Sequence, residues 1–406
     1  MDFQHSPRSL ELQTRLGAFM AELVLPAEAR FEHEMKERPE SWEPPPVMAE
    51  LKQEARRRGL WNLFLPHAQW GAGISNSDYA PLAEMSGWSP ELAPEAINCA
   101  APDTGNMELL ALFGSPEQQE QWLRPLLDAS IRSCFSMTEP DVASSDANNV
   151  RLQVEFEGGE LVLTGRKWWS TGAMRPACRL SLVMGLTDPE APVGRRHSIV
   201  LVPMDAPGLA VTRSTSVLGY EDRHEGGHGE LTFERVRVPV ASLLGERGAG
   251  FAMAQARLGP GRIHHCMRLL GMAERALDLM CSRALARSTF GLRLADHGVV
   301  QEWIAESRVR LEAARLLVMK AAWIMDTQGN KAARMEVSAI KVLVPETARW
   351  VIDRAIQAHG GAGLSQDTPL GMLYTKARFL QIADGPDEVH RRSLALAELK
   401  RPRGWR

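Results

Sequence analysis

Cysteine is scarce: only five occur in 406 residues, Cys99, Cys134, Cys178, Cys266 and Cys281. Their number is odd and no Cys-x-x-Cys pair exists, which excludes a disulfide framework and a cysteine metal site and predicts a reduced, cytoplasmic setting. No run reaches the ~18 consecutive apolar residues a membrane span needs, so no membrane span is expected. An excess of one charge is lacking too. Forty-seven Lys plus Arg against fifty Asp plus Glu leave a formal net charge of -3, without the basic face that nucleic-acid binding requires, so no nucleic acid is expected as a partner. Absent as well are a Walker A sequence, internal repeats and low-complexity tracts. The opening residues carry no signal- or transit-peptide pattern, and the closing Arg-Pro-Arg-Gly-Trp-Arg is no lipidation or peroxisomal address.

What is there is a folded composition, 44% hydrophobic and 24% charged, in a chain too long for one core; two or three domains follow. Over residues 1–130 the apolar residues recur at helical spacing, as in Leu16, Phe19, Met20, Leu23 and Val24, and in Val47, Met48, Leu51 and Ala55. Ser75-Asn76-Ser77 supplies N-cap oxygens for a helix over 78–85, and a last helix is expected from Pro116 to about Ala129. Over 131–245 the period becomes two. Leu152, Val154 and Phe156 alternate with polar residues, Gly158-Gly159 turns the chain, and Leu161 and Leu163 resume the alternation. Further strands are expected at 180–186, 198–202, 209–212 and 231–238, giving a small antiparallel β domain. Over 246–406 the helical period returns, with helices at 252–285 (interrupted by Gly259-Pro260-Gly261), 299–325, 332–358 and 388–399, an up-and-down bundle. The class is therefore α+β: an N-terminal helical domain, a middle antiparallel β-barrel or sandwich, and a C-terminal four-helix bundle.

His224-Glu225-Gly226-Gly227-His228 matches the zincin pattern by letter. That pattern works only on a helix, where imidazoles at i and i+4 share a face. Glycine costs about 1 kcal/mol per residue in a helix, three lie at 226, 227 and 229, and strands flank the segment. A surface loop without metal is expected. The Gly-rich pieces at 245–250 and 360–363 follow no strand of a βαβ unit and make no dinucleotide fingerprint. More informative is Phe135-Ser136-Met137-Thr138-Glu139-Pro140, followed by Lys167-Trp168-Trp169-Ser170-Thr171-Gly172. Amides and hydroxyls beside wide indoles suit a flat heterocycle whose edge needs hydrogen bonds and whose face needs cover; ordinary strand packing of tryptophan is the competing reading. Asp384-Gly385-Pro386-Asp387-Glu388 reads either as a helix start with acids in the first turn or as a carboxylate base held ahead of that helix.

Taken together and in order, these segments resemble the acyl-CoA dehydrogenase family. Leu65-Pro66 with Trp70-Gly71-Ala72-Gly73 is similar to its Pro…Gly-Gly-x-Gly turn, Thr138-Glu139-Pro140…Ser145-Asp146 to its TEP-x-A-G-S-D signature, and Trp169-Ser170-Thr171 to its Trp-x-Thr strand. Arg287-Ser288-Thr289-Phe290-Gly291 resembles its Arg-x-x-Phe-Gly, and Gln357-Ala358-His359-Gly360-Gly361-Ala362-Gly363 its Gln-x-x-Gly-Gly-x-Gly. The subgroup most resembled is the dehydrogenase domains of family members ten and eleven, through the segments 137–146, 257–266 and 384–390.

The resemblance implies FAD as cofactor. It would place Phe135, Met137, Thr138, Trp169, Ser170 and Thr171 around the isoalloxazine, with Thr171 near N5. Arg287, Phe290, Gln301, Gln357, Gly360, Gly361 and Gly363 would hold the pyrophosphate and adenine, partly across a subunit boundary in a homodimer or homotetramer, and Pro386, Asp387 and Glu388 would form another flavin segment. It also implies Ser145, Arg262 and Gly385 at the substrate and electron-transfer flavoprotein as electron acceptor. Three positions depart from the pattern: Ser144 replaces a glycine, Gly261 stands where branched-chain members carry their base, and Asp384 replaces the usual glutamate. The implied reaction is α,β-dehydrogenation of an acyl-CoA to a trans-2-enoyl-CoA of the β-oxidation type, with Asp384 as base. A nitroalkane-oxidase-like flavin oxidase, also using an aspartate base, is the alternative.

Overall fold

A computed structural model of the protein describes residues 4–401; residues 1–3 and 402–406, part of the termini read above for address signals, lie outside the described residues. None of the described helices is long and apolar enough to cross a membrane. The chain divides into two compact units, one made of Met1–Glu22, Ile74–Pro94 and Gly259–Arg406, the other of Leu23–Gly73 and Glu95–Leu258. The N-terminal helical stretch is thus shared between the two.

The second unit is built on an eight-stranded sheet. Its strands are β1 (Arg132–Ser136), β2 (Gln153–Glu157), β3 (Glu160–Thr171), β4 (Cys178–Leu186), β5 (His197–Pro203), β6 (Leu209–Thr215), β7 (His228–Pro239) and β8 (Leu243–Leu244). They run in the order β6-β7-β3-β2-β4-β5-β8, with β1 added beside β4. The sheet departs from the all-antiparallel expectation, because β1 pairs parallel to β4 and β2 meets β4 in parallel at Gln153 and Leu186. The reason is the chain's path. A loop of 16 residues and a whole hairpin separate β1 from β4 in sequence, so a tight antiparallel turn between them is not required. The β2–β3 hairpin forms as expected, Glu157 facing Glu160 across Gly158-Gly159. Leu152, Val154, Leu161, Leu163, Val183, Val200, Leu231 and Val236 point into one apolar core. Buried Arg132 at the start of β1 meets Glu95 at 2.6 Å and Asp103 at 3.2 Å, while Arg175 and Lys52 also meet Glu95. Burial pushes the Lys52 ammonium down to about 8 against the pull of Glu95.

The first unit is helical. Ser75 caps the helix Asn76–Ser86, its Oγ accepting from the Asp78 amide, and Asp326 accepts from the amides of Asn76 and Ser77. The long helices are Gly250–Ala286, of which the part from Gly259 belongs to this unit, Gly298–Gln328, Arg334–His359 and Asp387–Leu399, with Leu370–Leu380 between the last two. One expectation fails here: Gly259-Pro260-Gly261 does not interrupt the first of them. An internal proline removes one hydrogen bond and crowds the preceding turn, at about 3 kcal/mol. The glycines beside it carry no Cβ, and Ile263, Cys266, Met267 and Leu270 bury one face just beyond, which holds the helix together. The helix Leu370–Leu380, which the sequence reading passed over, ends at the turn that carries Asp384.

Candidate active site

In the sheet unit the Thr138-Glu139-Pro140 segment is clamped from below. Lys167, fully buried on β3, donates to the Met137 carbonyl at 2.9 Å and to Glu139 Oε1 at 2.8 Å. The Glu139 carboxylate also accepts from the amides of Arg151 and Leu152, both at 2.8 Å. Ser144, where the family pattern carries glycine, accepts from the Glu139 amide at 2.9 Å and closes the loop. The glutamate of this motif is therefore a structural post rather than a reactive group. The Trp168 amide donates to the Thr138 carbonyl at 3.0 Å and pins Met137 and Thr138 beside β3.

At that point β3 breaks register between Lys167 and Ser170, with Trp169 at φ 55°. This bulge turns two indoles out together, edge to face at 6.2 Å, and the Trp168 Nε1–H is buried without a partner among the described residues. A buried donor left over costs about 1–3 kcal/mol, and a flat heterocycle with acceptors along its edge is the kind of ligand that would take it. Phe135 and Met137, half-buried, pack toward Ala147, Met184 and Ala254. The Thr171 hydroxyl meets His228 Nδ1 at 2.9 Å. Ser170 does not present its hydroxyl: the side chain is buried and bonded to Ser136 at 2.9 Å, so only its backbone is available to a cofactor. Ser145 lies exposed on the loop after Pro140.

The His-Glu-Gly-Gly-His segment is not the surface loop expected. His224 is buried in a 3-10 turn, edge-on to Phe31 at 5.4 Å, and His228 is the buried first residue of β7. Glycines at positive φ, Gly226 and Gly227, fold the segment back on itself, and both rings are thereby drawn inside. No group of three or more His, Cys, Asp or Glu side chains among the described residues is placed to hold a metal.

The helical unit holds the second set. Leu370–Leu380 ends in carbonyls that the buried Lys341 collects, its Nζ donating to Leu380 O at 2.7 Å and Ala383 O at 2.8 Å. Burial lowers the Lys341 ammonium, partly offset by Asp384. The chain then passes through Asp384 at φ 57° and Gly385 at φ 100°. The Asp384 carbonyl accepts from Arg262 Nε at 3.1 Å and from His390 Nε2 at 3.2 Å. Its carboxylate, 21% exposed, lies 3.4 Å from His265 Nε2, and Arg268 faces the other nitrogen of that ring at 3.3 Å. Burial, with Arg262 and Lys341 adding to it, pushes His390 down to about 4, so the ring is neutral and donates. A Cβ at Gly385 would come within 2.9 Å of His390. Pro386 caps the helix Asp387–Leu399, one place earlier than a first-turn proline. Asp387 is buried, one oxygen accepting from Gln381 at 3.0 Å and the other without a partner among the described residues, and burial raises it; Glu388 is exposed.

Arg287, Phe290, Gln301, Gln357, Gly360 and Gly361 all lie on the exposed surface of this unit, with Gly363 tucked beneath. Phe290 is 96% exposed on its short hairpin and Leu364, beside the glycine loop, 80%. Sequence reasoning assigned no role to Lys341, His265 or His390. His265 and His390 did lie inside the two signature segments, and their helical phase relative to Arg262 and Asp384 was the available signal. Lys341 carried none, because it reaches the turn from a distant helix.

The helix–strand–helix order of the chain is that of a flavin-dependent oxidoreductase class, and a buried indole donor beside a bulge in one unit and a shielded carboxylate on a left-handed turn in the other are features that class would use. Three family descriptions match along the chain: acyl-CoA dehydrogenase N-terminal domain over residues 6–130, middle domain over 134–236 and C-terminal domain over 248–399. "Probable acyl-CoA dehydrogenase FadE2" of Mycobacterium tuberculosis is 56% identical over 99% of this chain and 98% of its own length. Acyl-CoA dehydrogenase family member 11 of Rattus norvegicus is 49% identical over 98% of this chain, which spans about half, 51%, of that protein. A solved Mycobacterium abscessus chain described among the acyl-CoA dehydrogenases superposes with a TM-score of 0.94 at 50% identity, covering 98% of this chain and 99% of its own. The chain belongs to the acyl-CoA dehydrogenase family, whose members are FAD-dependent oxidoreductases.

Proposed function

We propose that the chain catalyses α,β-dehydrogenation of an acyl-CoA thioester to the trans-2-enoyl-CoA, in β-oxidation, with Asp384 as the base. The observation that carries this reading is the Asp384 turn. A carboxylate on a left-handed backbone, its carbonyl held by Arg262 and His390 and its approach held by Lys341, is fixed in place through its backbone, with His265 facing one carboxylate oxygen at 3.4 Å. FAD, when bound, supplies the acceptor for the β-hydrogen and its electron pair. Phe135, Met137, Thr138, Trp169, the Ser170 backbone and Thr171 would border its ring system, with Thr171 toward N5. Arg287, Phe290, Gln301 and the Gln357–Gly363 loop would hold its phosphates and adenine, with Pro386, Asp387 and Glu388 as a further segment.

Asp384 takes the α-proton. Charge that builds on the thioester oxygen needs a positioned donor, for which the Asp384 amide is the family's choice, and Gly385 beside it is read as a further substrate contact. Arg262 and Ser145 are read as contacts of the CoA moiety. Arg262 would then hold substrate and turn at once. Electrons would pass to electron-transfer flavoprotein. The exposed Phe290 and Leu364 support a homodimer or a tetramer made from it, in which cofactor contacts would be shared, and the free cysteines support a cytoplasmic setting.

The test is anaerobic titration of the purified yellow protein with straight- and branched-chain acyl-CoAs. Flavin bleaching by one or more of them, but not by nitroethane, is expected; bleaching by nitroethane alone would replace this reading with the nitroalkane oxidase. Asp384→Asn, which tolerates the same left-handed backbone, should keep bound FAD and bleach at least about 100-fold more slowly, the usual loss for a positioned base.

A further inference from the structure

The His-Glu-Gly-Gly-His segment has so far been given no task, yet one of its histidines sits behind a residue of the flavin site. His228, 2% exposed, bridges two partners. Its Nε2 lies 3.1 Å from Asp222 Oδ2, and its Nδ1 2.9 Å from Thr171 Oγ1. The Trp169 ring packs tilted against the imidazole at 5.4 Å. Three backbone devices hold the group. Asp222 stands at φ 49° ahead of the 3-10 turn, the His228 amide donates to Ser214 at 3.1 Å, and Thr171 and His228 are ladder partners between β3 and β7.

We propose that His228, oriented by Asp222, is a positioning residue that sets the direction of the Thr171 hydroxyl and thereby raises the reduction potential of the flavin beside it. The argument is one of donors and acceptors. A carboxylate only accepts, so an imidazole with a single proton keeps it on Nε2, toward Asp222. Nδ1 is then an acceptor, and the donor that faces it, 2.9 Å away, is the Thr171 hydroxyl. With its hydrogen committed inward, Thr171 presents only oxygen lone pairs outward. An oxidised flavin N5 is itself an acceptor and gains nothing from that oxygen, whereas the reduced N5–H is a donor and gains a hydrogen bond. The pair of side chains therefore favours the reduced cofactor, which assists removal of the β-hydrogen. This rests on the placement of Thr171 toward N5 proposed above; the histidine's part does not follow from that placement and is tested separately.

The experiment measures the two-electron midpoint potential of the holoprotein by equilibration with a reference dye, with FAD content per chain as a parallel readout. His228→Leu should retain FAD and shift the reduced-to-oxidised ratio at fixed potential at least tenfold toward oxidised, about 30 mV for this couple. His228→Asn, whose carbonyl stands in for the Nδ1 acceptor, should restore most of the shift. Thr171→Val should lower the potential by itself, and His228→Leu should then add nothing to it. In flavin-free protein at pH 7.5, nitrogen-15 shifts should show the His228 proton on Nε2 and none on Nδ1. An unchanged potential in His228→Leu with FAD bound, or a ring protonated on both nitrogens, overturns the proposal even if Thr171→Val behaves as expected. An unchanged potential in Thr171→Val overturns the placement of Thr171 as well. Should His228→Leu not fold, the Asn variant and the nitrogen shifts decide the matter.

Discussion

Asp384 and His390 divide one task between them. The aspartate is proposed to supply the reactive oxygens, and the histidine holds its backbone as a neutral donor that adds no charge. That arrangement has a pH consequence. The native ring, pushed down to about 4 from 6.5, refuses a proton that the unfolded chain accepts. The unfolded state binds more protons in that window, so stability present above pH 6.5 is lost as pH falls toward 4. Between pH 7 and 4.5 this group should account for about 2–3 kcal/mol of lost stability. His390→Gln keeps a donor and does not titrate. Urea unfolding at the two pH values should therefore show a smaller acid loss in the variant by that amount, and equal losses would refute it. At this scale much was readable in advance. Asp384 stood out through the resemblance, since its segment by itself also reads as a helix start, whereas Lys341 was invisible because its partners are carbonyls brought to it by folding.

At the scale of elements, the crossing of Asn76–Ser86 with Gly250–Ala286 is backbone against backbone. A Cβ at Gly271 would lie 1.9 Å from the Glu84 carbonyl oxygen, and one at Gly87 2.2 Å from that of Arg268. Such a contact cannot be relieved by turning a side chain. Gly271→Ala should destabilise the protein by about 3 kcal/mol or more, the upper range for overpacking. By contrast Gly261→Ala, in the same helix with nothing within 4 Å, should be neutral or stabilise by up to about 1 kcal/mol. Thermal melts of the pair check this, and similar melting points would show that the helices can separate freely. The same close approach fixes the segment 262–268, hence Arg262 and His265 around Asp384. Glycine spacing in the sequence permitted such a crossing but did not name its partner, because the carbonyl it meets is nearly two hundred residues away.

The whole molecule leaves apolar groups uncovered where the cofactor's phosphates and adenine are proposed to lie. An exposed phenylalanine on a hairpin and an exposed leucine beside a glycine loop are poor choices for a surface that stays in water. Light scattering should find a dimer or tetramer. Phe290→Glu should shift it toward monomer and lower the FAD content of the purified protein; an unaltered oligomer that keeps its flavin would separate the hairpin from both roles.

The sequence by itself determined the order of helices, strands and helices, the β2–β3 hairpin and the family, because periodicity and motif order are local and survive being read in one dimension. It also singled out the carboxylate at 384. The parallel strand β1, the unbroken helix through Pro260, the burial of His224 and His228, and the inward turn of the Ser170 hydroxyl were decided only by tertiary structure. Each depends on which distant segment arrives alongside. A bulge at Trp169 or a lysine beneath Ala383 has meaning only once the neighbouring strand or helix is in place, since hydrogen bonds and burial act through space and not along the chain.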